Sequence, residues 1–153
     1  MALFEVRGLK KAFGRNVVLD GLDIDIIAGE VLTIIGESGS GKSILLKAMM
    51  GLVEPDAGSI RFDGEEVTGQ TERQWVKTRR RIGMLFQESA LFDSLDVYEN
   101  VGYALREQTS MGEDEIAKRV AETLSLVGLP GIEHMAPSDL SGGMRKRVAL
   151  ARA

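Results

Sequence analysis

The chain has 153 residues, of which 44% are hydrophobic and 27% charged, a composition typical of one globular domain with a sizeable core. Its formal net charge of -4 argues against bulk binding to nucleic acid or to an anionic membrane. The absence of cysteine excludes disulfides and thiolate metal sites. The start lacks the features of a secretory signal, and no apolar run approaches the about 18 residues of a membrane span, which predicts a cytoplasmic, soluble chain.

The N-terminal part of the chain alternates between apolar and polar side chains, which predicts half-buried strands. Gly14 and Gly21 predict turns that divide these strands. Residues 31–35 form an apolar run without polar alternation, as expected of a central strand covered on both faces. A second short buried strand is predicted over 82–87.

Residues 36–43 read Gly-Glu-Ser-Gly-Ser-Gly-Lys-Ser and match the pattern G-x-x-x-x-G-K-[ST] between a predicted strand and a predicted helix. Glycines in such a loop let backbone N–H groups surround phosphate oxygens, while the lysine reaches the β- and γ-phosphates and the serine hydroxyl ligates Mg²⁺. The alternative is a flexible turn that matches by accident. The candidate nucleotide-binding residues of this loop are Gly36, Glu37, Ser38, Gly39, Ser40, Gly41, Lys42, Ser43 and Ile44.

The remaining chain predicts mainly helices. A helix over 43–52 and a polar helix over 72–81 flank a strand and turn in 58–67. Trp75 and the arginines that follow it are interpreted as part of a solvated helix, or alternatively as a partner contact. From residue 97 to residue 127 apolar side chains recur at helical spacing, which predicts a helical subdomain.

The last predicted helix follows the segment Leu-Ser-Gly-Gly-Met, in which Ser141 is a candidate helix cap. Val148 and Leu150 are interpreted as lying on one side of this helix. A serine and two glycines, Ser141, Gly142 and Gly143, suit an anion at a helix start. The alternative is a simple capped helix.

With these motifs in this order, the whole chain resembles the nucleotide-binding domain of ABC transporters. The resemblance implies an α/β fold, a P-loop NTPase core of the ABC type with an N-terminal antiparallel β-subdomain and a helical subdomain, whose C-terminal part is missing. We expect 1–153 to be a partial domain. Its predicted parts are the β-subdomain and P-loop core at 1–87, the helical subdomain at 88–139, and the signature motif with its helix at 140–153.

The resemblance also implies roles for single residues. Phe13 corresponds to the aromatic residue that stacks on adenine, and Gln87 corresponds to the residue that senses Mg²⁺ and the γ-phosphate. Lys42 and Gln87 are therefore the catalytic candidates, and Ser43 and Gln87 the metal ligands. The alternatives are a partly buried loop aromatic for Phe13 and a polar residue at a strand end for Gln87. Ile44 stands where the family usually has threonine, so one hydroxyl contact to phosphate is expected to be absent.

The same family knowledge implies partners. The Ser141–Gly143 segment would contact ATP held by a second copy of the chain, in a head-to-tail dimer that encloses two ATP molecules. The stretch 85–107 is similar to the ATPases of Mla/Mce-type lipid transporters. It implies that Leu91, Phe92, Leu95 and Tyr98 face a membrane-spanning permease subunit, although these side chains also fit the core of the helical subdomain.

The resemblance predicts an ATP-hydrolysing subunit of a transporter for lipid or another hydrophobic solute, peripheral on the cytoplasmic face of the inner membrane through its permease. The alternatives are an importer of another solute, an ABC ATPase outside transport, and a binding-only nucleotide module. Beyond Ala153 the family continues into the aspartate, glutamate and histidine used for hydrolysis. We therefore expect the 153-residue chain to bind nucleotide weakly or not at all, without turnover.

Overall fold

The computed structural model describes residues 2–153. These residues form two compact units, which meet in the sequence between Arg81 and Ile82. The boundary between the P-loop core and the helical subdomain is predicted later, between residues 87 and 88. That boundary stays a prediction, because a division by compactness does not assign residues to a family's subdomains.

The first unit contains a four-stranded antiparallel sheet with the strand order β2-β1-β3-β4. The strands are β1 (Ala2–Phe13), β2 (Asn16–Ile27), β3 (Ala57–Phe62) and β4 (Glu65–Glu66). Phe4 and Val6 of β1 and Ile60 of β3 are buried, in keeping with the side-chain alternation of half-buried strands. The sheet confirms the predicted antiparallel β-subdomain.

Gly21 lies inside β2 and not at a turn between strands, so this part of the prediction is wrong. Leu9 pairs with Leu22 and Lys10 pairs with Asp20, which leaves Gly21 as an extra residue in β2. Its φ of 75° lies in the left-handed region that glycine tolerates, as at a β-bulge. A local turn signal therefore marks an irregularity within one long strand.

Neither apolar run predicted as a buried strand, 31–35 or 82–87, is a strand. Val31 is 95% exposed and Ile35 is 87% exposed. A strand depends on hydrogen bonds to a neighbouring strand, and within residues 2–153 no segment pairs with either run. The predictions of these two strands are wrong because apolar composition does not by itself supply a pairing partner.

Two helices complete the first unit, α1 (Lys42–Met49) and α2 (Glu72–Arg79), both close to their predicted ranges. Thr71 and Gln74 form a capping box that begins α2. The Gln74 side-chain oxygen accepts from the Thr71 N–H at 2.9 Å and from the Thr71 hydroxyl at 2.8 Å, which fixes the entry of the chain into the helix.

The helix α2 packs onto the end of α1 through Trp75 and Arg79. Trp75 is buried. The Arg79 guanidinium donates to the backbone oxygen of Met50 at 2.8 Å and to that of Gly51 at 3.0 Å. These oxygens lie where a helix leaves its last carbonyls without partners. The interpretation of Trp75 as a solvated residue is therefore wrong. The buried Trp75 side chain stabilises the first unit instead.

The second unit is helical, as predicted. It contains α3 (Val97–Gln108), α4 (Glu113–Leu126), a 3₁₀ turn (Pro137–Asp139) and α5 (Gly142–Arg152). Its core consists of buried apolar side chains from these elements and their connections: Val97, Val101, Ile116, Val120, Leu124, Leu129, Leu140 and Val148. Among residues 2–153, no helix combines the length and the apolar character required to cross a membrane.

Val148 and Leu150 do not lie on one side of α5, so that interpretation is wrong. Val148 is buried in the core, whereas Leu150 is 55% exposed. Residues two positions apart are separated by about 200° around an α-helix. Ala149 is buried next to Val148 instead.

Asn100 is a buried amide of α3 that holds the segment preceding the helix. Its side-chain oxygen accepts from the N–H of Phe92 at 2.8 Å. Its side-chain nitrogen donates to the backbone oxygens of Phe92, Leu95 and Asp96, at 3.1, 3.0 and 2.9 Å respectively. One side chain thus satisfies four backbone groups of the 92–96 segment.

We expect Asn100→Ala to lower the free energy of unfolding of the second unit by about 2–4 kcal/mol, because each buried polar group left without a partner costs about 1–3 kcal/mol. Urea denaturation followed by far-UV circular dichroism measures this difference. Gln108→Ala, at an exposed position of the same helix, is the control and should change the free energy of unfolding by less than about 0.5 kcal/mol. Equal losses in the two variants would contradict the bonding role of Asn100.

Candidate functional site

The loop at residues 36–41 precedes α1 and is closed by short-range bonds. The N–H of Ser40 donates to the backbone oxygen of Glu37 at 3.2 Å. Gly39 and Gly41 have φ of 83° and 90°, in the left-handed region where a side chain is strained. The backbone path of the loop therefore favours glycine at these two positions.

Lys42, the first residue of α1, folds back over this loop. Its ammonium donates to the backbone oxygens of Gly36 at 3.0 Å and Glu37 at 2.6 Å, and to the Ser40 hydroxyl at 3.2 Å. These bonds place a positive charge at the mouth of the loop and hold the loop in a closed path. An anion that enters there meets a fixed ammonium, which is the arrangement expected for binding the terminal phosphates of a nucleotide.

The N-terminus of α1 carries no side-chain cap, because its N-cap residue is Gly41. The first N–H groups of a helix have no partner within the helix, and the helix dipole places partial positive charge there. These groups are available to an anion. The residues present therefore fit a bound phosphate.

An open cleft of about 290 Å³ lies beside the loop, close to the lower end of the volumes of ligand pockets, about 300 Å³. Its lining combines the end of the first hairpin with the phosphate-binding loop: Phe13, Val18, Gly39, Gly41, Lys42, Ser43 and Ile44. The structure thus brings the predicted adenine-stacking residue to the same cleft as the predicted phosphate-binding residues. Gly36, Glu37, Ser38 and Ser40 belong to the same loop but do not line this cleft.

Phe13 is 50% exposed at the end of β1, so a face of its ring is accessible to a ligand. The Lys11 ammonium lies 5.5 Å from the centroid of the ring, within the range of a cation–π contact. Val18, which also lines the cleft, is a site residue that the sequence analysis missed. As one apolar residue of a strand among several, it gave no signal of its own.

For Mg²⁺, the cleft offers the hydroxyl of Ser43. Ser43 is exposed and lines the cleft. Within residues 2–153, no group of three or more histidine, cysteine or acidic side chains is placed to hold a metal ion. A hydroxyl fits an ion that is held mainly by nucleotide phosphates and water. The metal-ligand roles of Ser43 and Gln87 stay predictions, and the two residues belong to different compact units.

Gln87 is exposed in a turn of the second unit, in which the N–H of Ser89 donates to the backbone oxygen of Phe86 at 3.1 Å. Ser89 and Ala90 both have left-handed φ, 63° and 48°, an unusual conformation for residues other than glycine.

Arg152 of α5 holds the residues that follow this turn. Its guanidinium donates to the backbone oxygens of Ser89 at 3.0 Å and Ala90 at 2.6 Å. Burial lowers the pKa of Arg152, but an arginine with a lowered pKa is still charged at neutral pH. Arg152 carries no signal in the sequence, because its partners lie far away in the chain.

The signature segment begins α5 as predicted. The Ser141 hydroxyl accepts from the N–H of Met144 at 3.2 Å, which confirms Ser141 as the N-cap. Ser141, Gly142 and Gly143 are exposed, and a Cβ at either glycine would meet no atom within 4 Å. This surface is accessible to a second molecule, although a contact with partner-bound ATP stays a prediction.

The four residues predicted to face a permease differ in exposure. Leu91 and Tyr98 are partly buried and pack against the core of the second unit, which favours the alternative interpretation for these two. Phe92 is 44% exposed, and its ring centroid lies 5.1 Å from that of Tyr103. Tyr103 is also 44% exposed, so both rings of this pair are accessible.

Comparison with known proteins places these observations in a family. The sequence profile described as ABC transporter matches residues 19–153. The chain is 47% identical over 150 residues to the Arabidopsis thaliana protein TRIGALACTOSYLDIACYLGLYCEROL 3, chloroplastic, across 98% of the chain and 43% of that protein. It is 41% identical over 151 residues to the Haemophilus influenzae intermembrane phospholipid transport system ATP-binding protein MlaF, across 99% of the chain and 57% of that protein. The chain thus spans about half the length of these relatives.

The fold is also that of a solved structure. The dimeric, post-hydrolysis structure of the ATP-binding cassette MJ0796 bound to ADP and Pi matches with a TM-score of 0.90 and 31% sequence identity. The match covers 97% of this chain and 68% of that one. It confirms the predicted α/β fold of the ABC type.

Proposed function

Because the chain belongs to the ABC transporter family, we propose that its own residues bind ATP, weakly and without turnover, in the cleft between Phe13 and the phosphate-binding loop. The observation that carries this proposal is the lining of one cleft by the exposed aromatic ring, by Lys42 and by Ser43. An aromatic ring suits an adenine base, and an ammonium at a helix N-terminus suits phosphates. The two ends of the cleft therefore match the two ends of ATP.

Each residue has a separate task in this proposal. Phe13 stacks on the base, Lys42 neutralises the terminal phosphates, and the Ser43 hydroxyl is a ligand of Mg²⁺. The metal ion supplies charge neutralisation at the β- and γ-phosphates when it is bound. Ile44, which lines the cleft without a hydroxyl, contributes apolar contact only.

We propose further that the whole protein hydrolyses ATP to power a membrane transporter. The dimeric state of the MJ0796 cassette supports a second copy as partner, with the exposed Ser141–Gly143 segment at its ATP. The relative MlaF, named for intermembrane phospholipid transport, supports lipid or another hydrophobic solute as cargo. A membrane-spanning permease would then hold the protein on the cytoplasmic face of the inner membrane.

We expect Lys42→Ala to weaken MgATP binding by about 10- to 100-fold, because a hydrogen bond to a charged group contributes roughly 1.5–3 kcal/mol. Isothermal titration calorimetry of the wild-type and variant chains measures the two dissociation constants. Loss of the lysine also removes the three bonds that close the loop, so the measured loss of affinity is an upper limit for the direct contact between the ammonium and phosphate.

Lys47→Ala is the matched control, since Lys47 lies in the last turn of the same helix and carries the same charge. It should leave the dissociation constant within about twofold of wild type, because Lys47 does not line the cleft. Equal effects of the two substitutions would contradict the role of Lys42. A wild-type chain that shows no saturable MgATP binding would overturn the proposed function itself.

A further inference from the structure

A second irregularity of the first hairpin lies beside the cleft. Lys11 pairs with Leu19 and Ala12 pairs with Val17, which leaves Val18 as an extra residue of β2. Val18 lines the cleft, and Phe13 follows Ala12 directly. A β-bulge bends its strand and redirects side chains. The bulge therefore redirects Val18 at the same cleft that Phe13 lines from β1.

Asp56, in the segment before β3, binds the strand opposite this bulge. One carboxylate oxygen accepts from the Lys11 ammonium at 2.8 Å, and the other accepts from the N–H of Ala12 at 2.7 Å. The N–H of Asp56 donates to the backbone oxygen of Lys10 at 2.8 Å. One residue thus holds three successive residues of β1, immediately before Phe13.

The Lys11 contact extends from the carboxylate to the aromatic ring. The Lys11 side chain is only 16% exposed, and its ammonium lies 5.5 Å from the Phe13 centroid. The hydrogen bond from Lys11, followed by that from the Ala12 N–H, lowers the pKa of Asp56, as expected of a carboxylate held in its charged form. Since Phe13 is half exposed, these neighbours and not core packing are available to fix its ring.

We propose that Asp56 is a positioning residue for the base end of the cleft, which orders Phe13 and Val18 for stacking on an aromatic base. This inference rests on the proposed ATP binding and adds a residue to its base-recognising part. Asp56 does not line the cleft itself. It acts through the Ala12 backbone and the Lys11 ammonium, so its loss should affect ligands that carry a base and spare ligands that carry phosphates alone.

The test compares MgATP with magnesium tripolyphosphate, which has the phosphates without the base. We expect Asp56→Ala to weaken MgATP binding by about tenfold, the limit set by one aromatic stacking contact, and to change tripolyphosphate binding by less than about twofold. Asp56→Asn keeps an acceptor for the Ala12 N–H, so it should lose less affinity for MgATP than Asp56→Ala does. Glu54→Ala, an exposed acidic residue two positions earlier, is the control of equal charge and should change neither constant.

A double-substitution cycle identifies the path of the effect. If Asp56 acts through the ring, Asp56→Ala should weaken MgATP binding no further once Phe13→Ala is present. Two results for Asp56→Ala would overturn the inference: an equal loss of affinity for both ligands, or an unchanged dissociation constant for MgATP. Saturable MgATP binding by the wild-type chain would still uphold the proposed function in both cases. A wild-type chain that binds neither ligand would overturn the proposed function and this inference together.

Discussion

Replacing Gly51 by alanine is expected to lower the free energy of unfolding of the first unit by about 2–5 kcal/mol. Gly51 has a φ of 63°, where an alanine costs about 1–2 kcal/mol. A Cβ there would also overlap the ring of Trp75, with Cζ2 at 2.6 Å, and overpacking of this kind costs about 1–3 kcal/mol or more. Displacing the ring would disturb the Arg79 bonds that end α1.

The fluorescence of Trp75 measures this change directly, because it is the only tryptophan of the chain and lies at the altered contact. Guanidinium denaturation should shift to a lower midpoint in Gly51→Ala. Gly64→Ala is the matched control, since Gly64 has a φ of 79° and a Cβ there would meet no atom within 4 Å. The free energy of unfolding of Gly64→Ala should fall only by the conformational cost of about 1–2 kcal/mol. Similar midpoints in the two variants would show that the Trp75 contact is not tightly packed.

The contrast between Gly21 and Gly39 shows what local sequence predicts about this fold. Gly39 belongs to a fixed motif whose backbone conformation is set within a few residues, and the structure has the left-handed φ that such a loop requires. Gly21 gives the same glycine signal, but its role depends on the register with β1. The helices of the second unit were predictable in the same way as the Gly39 loop, because the spacing of apolar residues along a helix is a local property of the sequence.

Residues that act across the chain were not predictable. Asp56 contacts Ala12, which is 44 positions away, and Arg152 contacts Ala90, which is 62 positions away. Neither residue belongs to a motif, and an acidic or basic side chain has many possible partners on a surface. The prediction of a strand at 31–35 was also wrong because of a long-range effect. The composition of this run indicates a buried strand but does not specify which strand it pairs with.

Gly41→Ala is expected to weaken MgATP binding by about 100-fold, because about 3 kcal/mol of strain must be overcome to restore the binding conformation. Gly41 has a φ of 90°, and a Cβ there would lie 2.8 Å from the backbone oxygen and 2.9 Å from Cγ1 of Val18. An alanine relieves this overlap only by moving the start of α1 away from β2. Such a movement separates Lys42 and Ser43 from the base end of the cleft.

Gly39→Ala distinguishes this steric effect from the conformational cost. Gly39 has a φ of 83°, and a Cβ there would meet no atom within 4 Å. Its substitution should weaken MgATP binding only about tenfold, which corresponds to a cost of about 1–2 kcal/mol. Calorimetric titration of both variants, each shown by Trp75 fluorescence to be folded, measures the difference. If Gly39→Ala weakens binding as much as Gly41→Ala, the contact between the loop and Val18 does not position the phosphate-binding residues, and conformational strain alone accounts for the loss.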